Sequence, residues 1–271
     1  MKLSIITINY NNLDGLKKTA ESVLAQSWRD FEWIIIDGAS TDGSREYIID
    51  LNEELAQNGL NPISYWCSEP DKGIFNAMNK GIAKAKGEYL NFMNSGDYFL
   101  DKDTLGKVAG LIAANNADVF YGDCVLDYGE RKETRVHPSS LDIYELIVLP
   151  LCHQAMFFSR SVFKDEQYDE QYKISCDCVK NIKLMLEEYT FRKIDVVVCV
   201  FDKHGISTSS IDRNVEEYHN AIEEIVPKHI MSLVSKLYRY DKGHIYNRVR
   251  TIENKGGLLV LILRLYLKLF G

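Results

Sequence analysis

Leu3-Ser4-Ile5-Ile6-Thr7-Ile8, closed by Asn9-Tyr10-Asn11-Asn12, is the stretch on which the fold turns. A short apolar run that stops at a polar turn cluster marks a strand buried on both faces. Leu13, Leu16, Ala20, Val23 and Leu24 then recur at helical spacing. A second apolar strand, Phe31 to Asp37, ends at the loop Gly38-Ala39-Ser40-Thr41-Asp42-Gly43-Ser44. Ile48, Leu51 and Leu55 share one helix face, and a third strand follows near Ile63 to Cys67. A helix from Ile74 to Ala85 leads into a fourth strand, Tyr89 to Met93. Strands alternating with helices predict an α/β chain, a mostly parallel sheet flanked by helices on both sides.

Ligands of such sheets sit beyond the carboxyl ends of the strands. The residues there are Asn9 and Tyr10, Asp37, Glu69 to Lys72, and Asn94 to Asp97. Each alone could be a turn residue; four polar strand ends on one rim point to a polar ligand. No GxGxxG follows the first strand and no GxxxxGK[ST] occurs, which counts against a dinucleotide site and a P-loop. A diphosphate held at an acidic rim needs a divalent cation, and hard oxygen ligands select Mg²⁺ or Mn²⁺.

Composition narrows the class. Of 271 residues, 46% are hydrophobic and 26% charged, which excludes a disordered or multi-span membrane chain. The net charge of −7 argues against a nucleic-acid binder. From Lys228 to Gly271, nine Lys/Arg face Asp241 and Glu253, a net of +7 that leaves −14 on the preceding 227 residues. The six cysteines form no CxxC pair, so a zinc ribbon or redox motif is not expected. With no charged leader before an apolar core, the expected location is the reducing cytosol, with the cysteines as buried apolar residues.

The motifs resemble family 2 glycosyltransferases of the GT-A fold. The resemblance rests on Thr7-Ile8-Asn9-Tyr10-Asn11 and Ile36-Asp37-Gly38-Ala39-Ser40-Thr41-Asp42-Gly43-Ser44. The run Glu69 to Ile82 and Gly87-Glu88-Tyr89-Leu90-Asn91-Phe92-Met93-Asn94-Ser95-Gly96-Asp97 look like a subgroup that builds bacterial surface polysaccharides (colanic acid, capsule or O-antigen type). His153-Gln154-Ala155-Met156-Phe157-Phe158 and Lys173-Ile174-Ser175-Cys176-Asp177 resemble its acceptor-side segments. The resemblance covers roughly residues 2 to 210. It implies a GT-A domain over 1–210 and transfer of a hexosyl type with inversion; residues 211–271, which it does not cover, read as a helical, basic and amphipathic extension. The donor would be a nucleotide sugar, UDP-linked by preference with GDP or dTDP as options, and the acceptor a glycan or lipid-linked precursor.

Residue by residue, the resemblance implies that Thr7, Asn9 and Tyr10 line the nucleotide, with Tyr10 beside the base. Asp37 would accept from the base ring N–H, and Asp71 and Lys72 would sit near the nucleotide and diphosphate. The family's Asp-x-Asp-Asp is replaced here by Asn94-Ser95-Gly96-Asp97. Asp97 is then the one acidic metal ligand of the motif, for Mn²⁺ or Mg²⁺, with Asn94 and Ser95 toward the donor. Asn76 stands where the subgroup often has Asp. Asp177 would be the general base; the residues alone favour a helix cap. His153, Gln154 and Asp123 are acceptor-side candidates, against a core histidine and a plain turn. His204 is a candidate second metal ligand, against a plain loop.

Residues 216 to 239 read as helical. Leu258 to Phe270 is apolar but, at 13 residues, too short to span a bilayer, which needs about 20. Arg248, Arg250 and Lys255 upstream would favour an anionic surface by about 1 kcal/mol each. An interfacial helix predicts peripheral attachment at the inner face of the cell membrane; docking on the catalytic domain or on a second copy in a homo-oligomer is the competing reading. The depleted metal motif also leaves open a second function, a weak or inactive glycosyltransferase-like binding subunit. A nucleotidyltransferase is disfavoured by the missing glycine-rich phosphate loop.

Overall fold

The computed structural model describes residues 2–60, 62–203 and 211–242. The chain divides into two compact units, Met1–Tyr218 and His219–Gly271. The expected opening alternation is present as β1 (Leu3–Asn9), α1 (Leu13–Leu24), β2 (Phe31–Asp37), α2 (Ser44–Gln57), β3 (Ile63–Ser68), α3 (Ile74–Lys84) and β4 (Tyr89–Phe92). The remainder of the first unit adds β5 (Tyr98–Phe99), α4 (Thr104–Ala113), β6 (Val119–Asp127), β7 (Lys132–Arg135), α5 (Ile143–Val148), β8 (Met156–Ser159), α6 (Cys176–Leu186) and β9 (Phe191–Asp202). The helical pattern expected over 216–239 is two helices, α7 (Ile211–Ile225) and α8 (Lys228–Lys242). Pro227 separates them, since a proline has no N–H to continue the helix and its ring crowds the preceding turn.

The strands form one sheet in the order β3-β2-β1-β4-β8-β6-β9-β5, with β7 on β6. β3, β2, β1 and β4 pair in parallel, as do β6 and β9. β8 runs antiparallel between β4 and β6, and β5 and β7 are antiparallel to β9 and β6. Most strands therefore share one direction, as expected. Every residue of β1 and β2 is buried, which is why both read as continuous apolar runs rather than alternating ones. Leu16, Thr19, Ala20 and Val23 give α1 one buried face. α3 lies close enough to β1 that a Cβ at Gly81 would meet Ile6 Cγ2 at 2.5 Å.

The parallel register aligns Asn9 with Asp37 and Asp37 with Ser68. Three strand ends thus present polar residues at one level, and the turn after β4 joins them. Among the described residues no helix is long and apolar enough to cross a membrane. Residues 256–271 of the expected interfacial tail lie outside the described residues.

Candidate functional site

Asp37 is the centre of the rim. Its Oδ1 accepts from Asn9 Nδ2 (2.8 Å) and the Ser40 hydroxyl, and its Oδ2 from the Ser40 N–H (3.0 Å) and the Ser68 hydroxyl (2.6 Å). The side chain is 0% exposed. A carboxylate offers about four acceptor positions, and protein donors occupy all of them. Asp37 therefore serves the scaffold, a correction to its expected contact with a base. Thr7 is also corrected: it is 0% exposed inside β1, and its hydroxyl accepts from the Trp33 indole N–H (2.9 Å).

Asn9 is buried and carries the network onward, its Oδ1 accepting from the Ser95 hydroxyl (2.7 Å). Ser40 bonds the Asn11 N–H (2.8 Å) and holds the loop in which Ala39 has a left-handed φ of 60°. A non-glycine residue there is strained, and the Asp37 bonds offset that strain. Tyr10 stands above this layer at 65% exposure. A Cβ at Gly38 would lie 3.1 Å from the Tyr10 ring and 3.0 Å from Asp71 Oδ2, so the three meet at one mouth. Asp71 is paired to Lys80 (2.6 Å), which also reaches Glu69 (2.9 Å). Lys72 is exposed beside them.

The turn after β4 is set by Thr19 on α1, which sequence reading passed over. Its hydroxyl donates to the Asp97 carbonyl (2.7 Å) and accepts from the Gly96 N–H (3.0 Å). Gly96 has φ 105°, a left-handed value that disfavours any side chain. A carboxylate at 96 would have to take up this strained backbone. Asn94 Oδ1 is buried without a hydrogen-bond partner among the described residues, as are Asn91 Oδ1 and Asn181 Oδ1.

Asp97 is 5% exposed. Its Oδ1 accepts from the Asp202 N–H (2.9 Å) and its Oδ2 from Gln154 Nε2 (2.8 Å). Burial, which outweighs those two bonds, pushes its carboxyl up to about 7, and the nearby Asp202 charge adds to the rise. Among the described residues no three His, Cys, Asp or Glu side chains form a ready metal cluster. The donors fit a divalent cation that draws most of its ligands from elsewhere. Each Asp97 oxygen keeps a lone pair beyond its one protein donor, and the buried Asn94 amide oxygen has no protein donor among the described residues. Such a site matches Mg²⁺ or Mn²⁺ bound together with phosphate oxygens and water. His204 lies outside the described residues.

Gln154, expected toward the acceptor, holds Asp97 instead. Asn91 in β4 donates to the Gln154 and Met156 carbonyls (both 2.9 Å) and fixes that turn. His153 is a core histidine, a correction to its acceptor-side candidacy. It is buried, stacked on Phe92 (ring centroids 4.9 Å apart) and bonded through Nε2 to the Tyr168 hydroxyl (2.8 Å). Asp123 is likewise engaged, accepting from the His137 N–H (2.8 Å) and pairing with Lys193 (3.1 Å). Asn76 donates to Glu170 (3.0 Å), so an Asp at 76 would set two carboxylates against each other.

Asp177 lies in the first turn of α6, but Ser175 is the cap residue. The cap reading of Asp177 is thus replaced. Its carboxylate is partly exposed, and no N–H among the described residues donates to it. Its charge is felt by the buried His153 ring. Consecutive residues therefore link the two acids: His153 lies within electrostatic reach of Asp177, and Gln154 bonds Asp97.

Comparison with known proteins agrees with this architecture. Residues 4–190 match the family described as glycosyl transferase family 2. An uncharacterized glycosyltransferase of Mycobacterium tuberculosis is 34% identical over 213 residues, 76% of this chain and 77% of the relative. A PGL/p-HBAD biosynthesis glycosyltransferase of Mycobacterium bovis is 29% identical over 78% of this chain and 80% of its own length. Among solved structures, S. aureus TarS 1-349 in complex with UDP-GlcNAc superposes with TM-score 0.66 at 21% identity, covering 83% of this chain and 67% of that one. A mannosyltransferase from Pyrobaculum calidifontis in complex with GDP-Man and Mn²⁺ gives TM-score 0.65 at 16% identity, covering 99% and 80%. Both are GT-A folds, and the fold is shared.

Proposed function

This chain belongs to glycosyl transferase family 2 and is a glycosyltransferase, and on that premise we propose a metal-assisted, inverting transfer from a nucleotide sugar to a glycan or lipid-linked acceptor. The observation that carries the reading is the His153–Gln154 turn, which ties one bonded, buried acid to one acid left free of N–H donors. The donor lies over the rim with its base against the exposed Tyr10 ring, its ribose toward Asn94 Oδ1 and its diphosphate toward Lys72. A divalent cation, Mn²⁺ or Mg²⁺, would be held by Asp97 and Asn94 and, when bound, neutralises the charge developing on the diphosphate.

Asp177 accepts the proton of the acceptor hydroxyl as that oxygen attacks the anomeric carbon. The transition state is oxocarbenium-like, and one in-line displacement inverts the configuration. The relatives in PGL/p-HBAD biosynthesis support a surface-glycan acceptor, with bacterial polysaccharide synthesis as the setting. Attachment to the inner membrane face through the basic extension fits such an acceptor. The test is a thermal-shift panel of UDP-, GDP- and dTDP-sugars with and without Mn²⁺. A ligand at 100 times its dissociation constant stabilises by about 2.7 kcal/mol. Stabilisation by one nucleotide sugar that depends on Mn²⁺ supports the reading; no response to any of them contradicts it.

A further inference from the structure

Glu217, on the α7 part of the first unit, is built into the approach to α6. Its carboxylate accepts the backbone N–H groups of Lys173 (2.8 Å), Ile174 (2.9 Å) and Ser175 (2.8 Å). Three successive N–H groups converging on one side chain make a charge-assisted seat for a carboxylate. Burial alone would raise the Glu217 carboxyl; the backbone bonds outweigh it and hold it below the ordinary range.

Ser175 flanks α6, and its side chain makes no capping bond; its carbonyl accepts the Val179 N–H (3.0 Å) that opens the helix. The turn that carries Asp177 therefore starts from backbone held by Glu217. The neighbouring Tyr218 hydroxyl reaches the Leu146 and Ile147 carbonyls (3.2 and 3.1 Å), which anchors this part of α7 to the end of α5. Tyr218 also lies close enough to feel the Asp177 charge.

We propose that Glu217 is a positioning residue for sugar transfer: by clamping the 173–175 backbone it fixes the Asp177 carboxylate toward the acceptor hydroxyl. The proposal rests on the reading of Asp177 as the base. It makes Glu217, at the end of the first unit, a working part of the active site rather than an appendage. A misplacement of about 1 Å in a reacting group can cost roughly 10²-fold in rate, so loss of the clamp reads out in turnover and not in donor affinity.

The experiment compares the full chain with Glu217→Gln, Glu217→Ala, Asp177→Asn and the Asp177→Asn/Glu217→Ala double variant, measuring thermal midpoint, donor Kd, and kcat with acceptor saturating. Glu217→Ala should keep donor Kd within about twofold while kcat falls about 10- to 100-fold. Glu217→Gln, which keeps one acceptor oxygen for the same N–H groups, should fall less. The double variant should be no slower than Asp177→Asn within about threefold, because the clamp acts through the base. Parent-like kcat in Glu217→Gln and Glu217→Ala, or losses that multiply in the double variant, would overturn the proposal. If Glu217→Ala does not fold, the comparison of Glu217→Gln with the parent decides. A slow Asp177→Asn beside a parent-like Glu217→Gln overturns the clamp alone, whereas a parent-like Asp177→Asn overturns the base and with it the clamp.

Discussion

Asp37, at the level where β1, β2 and β3 end, and the two acids near the turn of residues 153–154 are the same chemistry in opposite states. Asp37 has four protein donors and no exposure. Asp97 has two donors and a raised carboxyl, and among the described residues no N–H donates to Asp177, whose neighbour is the Cys178 thiol. The first region is finished: the Asp37 carboxylate is met on every side, and the exposed Tyr10 and Lys72 stand at its mouth. The second is incomplete, its acids waiting for charge or protons that a substrate would bring. Saturation marks scaffold, and deficit marks chemistry.

The largest effect that could break this contrast is at Asp97. Asp97→Asn keeps the shape and the bond from the Asp202 N–H but removes the charge. It should lower Mn²⁺-dependent transfer by about 10³-fold, equivalent to the several kcal/mol that a metal supplies to a charged transition state. Asp37→Asn should instead lower stability, because the amide presents a donor where two protein donors already point, at a cost of about 1 to 3 kcal/mol. Transfer assays and melting curves on the two variants separate the regions. Equal loss of activity at equal stability would erase the distinction.

Packing comes next. Gly81→Ala forces a Cβ onto Ile6 Cγ2 directly behind the rim. It should cost about 1 to 3 kcal/mol of stability by overpacking, read as a lower urea midpoint.

A pH scan gives a smaller effect. His137 is held neutral by burial, its Nδ1–H donating to the Gly122 carbonyl (2.8 Å) while Nε2 accepts the Cys152 N–H (3.3 Å). Protonation would turn Nε2 into a donor facing a donor. Burial depresses His153 likewise. Their folded values lie below the unfolded value of about 6.5, so the unfolded chain binds more protons and stability is lost as pH falls below about 6.5. The slope is at most about 1.4 kcal/mol per pH unit for each group. Asp97, raised in the fold, opposes this between its unfolded value and about 7. Melting in the Asp97→Asn background should therefore show the steeper loss from pH 6.5 to 5. A flat profile there would mean that the two imidazoles titrate freely.

Tyr10→Ala is the mildest change expected. Loss of an aromatic face for the base is worth about 0.5 to 1.5 kcal/mol, a weakening of donor Kd by about two- to twelvefold with kcat unchanged when donor saturates. Calorimetric titration of the nucleotide sugar measures it.

Much of the contrast was legible in sequence. The mainly apolar runs of β1 and β2 announced strands buried on both faces, and the strand ends located the rim. Residue type alone could not separate Asp37 from Asp177, because an Asp at an element end reads the same whether its partners are Ser40 and Ser68 or a substrate. Those partners depend on parallel register and loop closure. Thr7 was misread for a related reason: its alternation along β1 turns it toward Trp33 in the core. Thr19, Asn91 and Glu217 act through backbone groups distant in sequence and carry no local motif, and the motif that holds Gln154 does not show its bond to the Asp97 side chain. The Gly96 departure was visible as a missing carboxylate, but its left-handed φ was not.

The central claim is that Asp177, which no N–H among the described residues engages, is the acid used for catalysis. Its most direct test is Asp177→Asn, with donor Kd and kcat measured on the same preparation. The account predicts unchanged melting and donor Kd with kcat lowered about 10²- to 10⁴-fold. Turnover within threefold of the parent, with acceptor saturating, would contradict it.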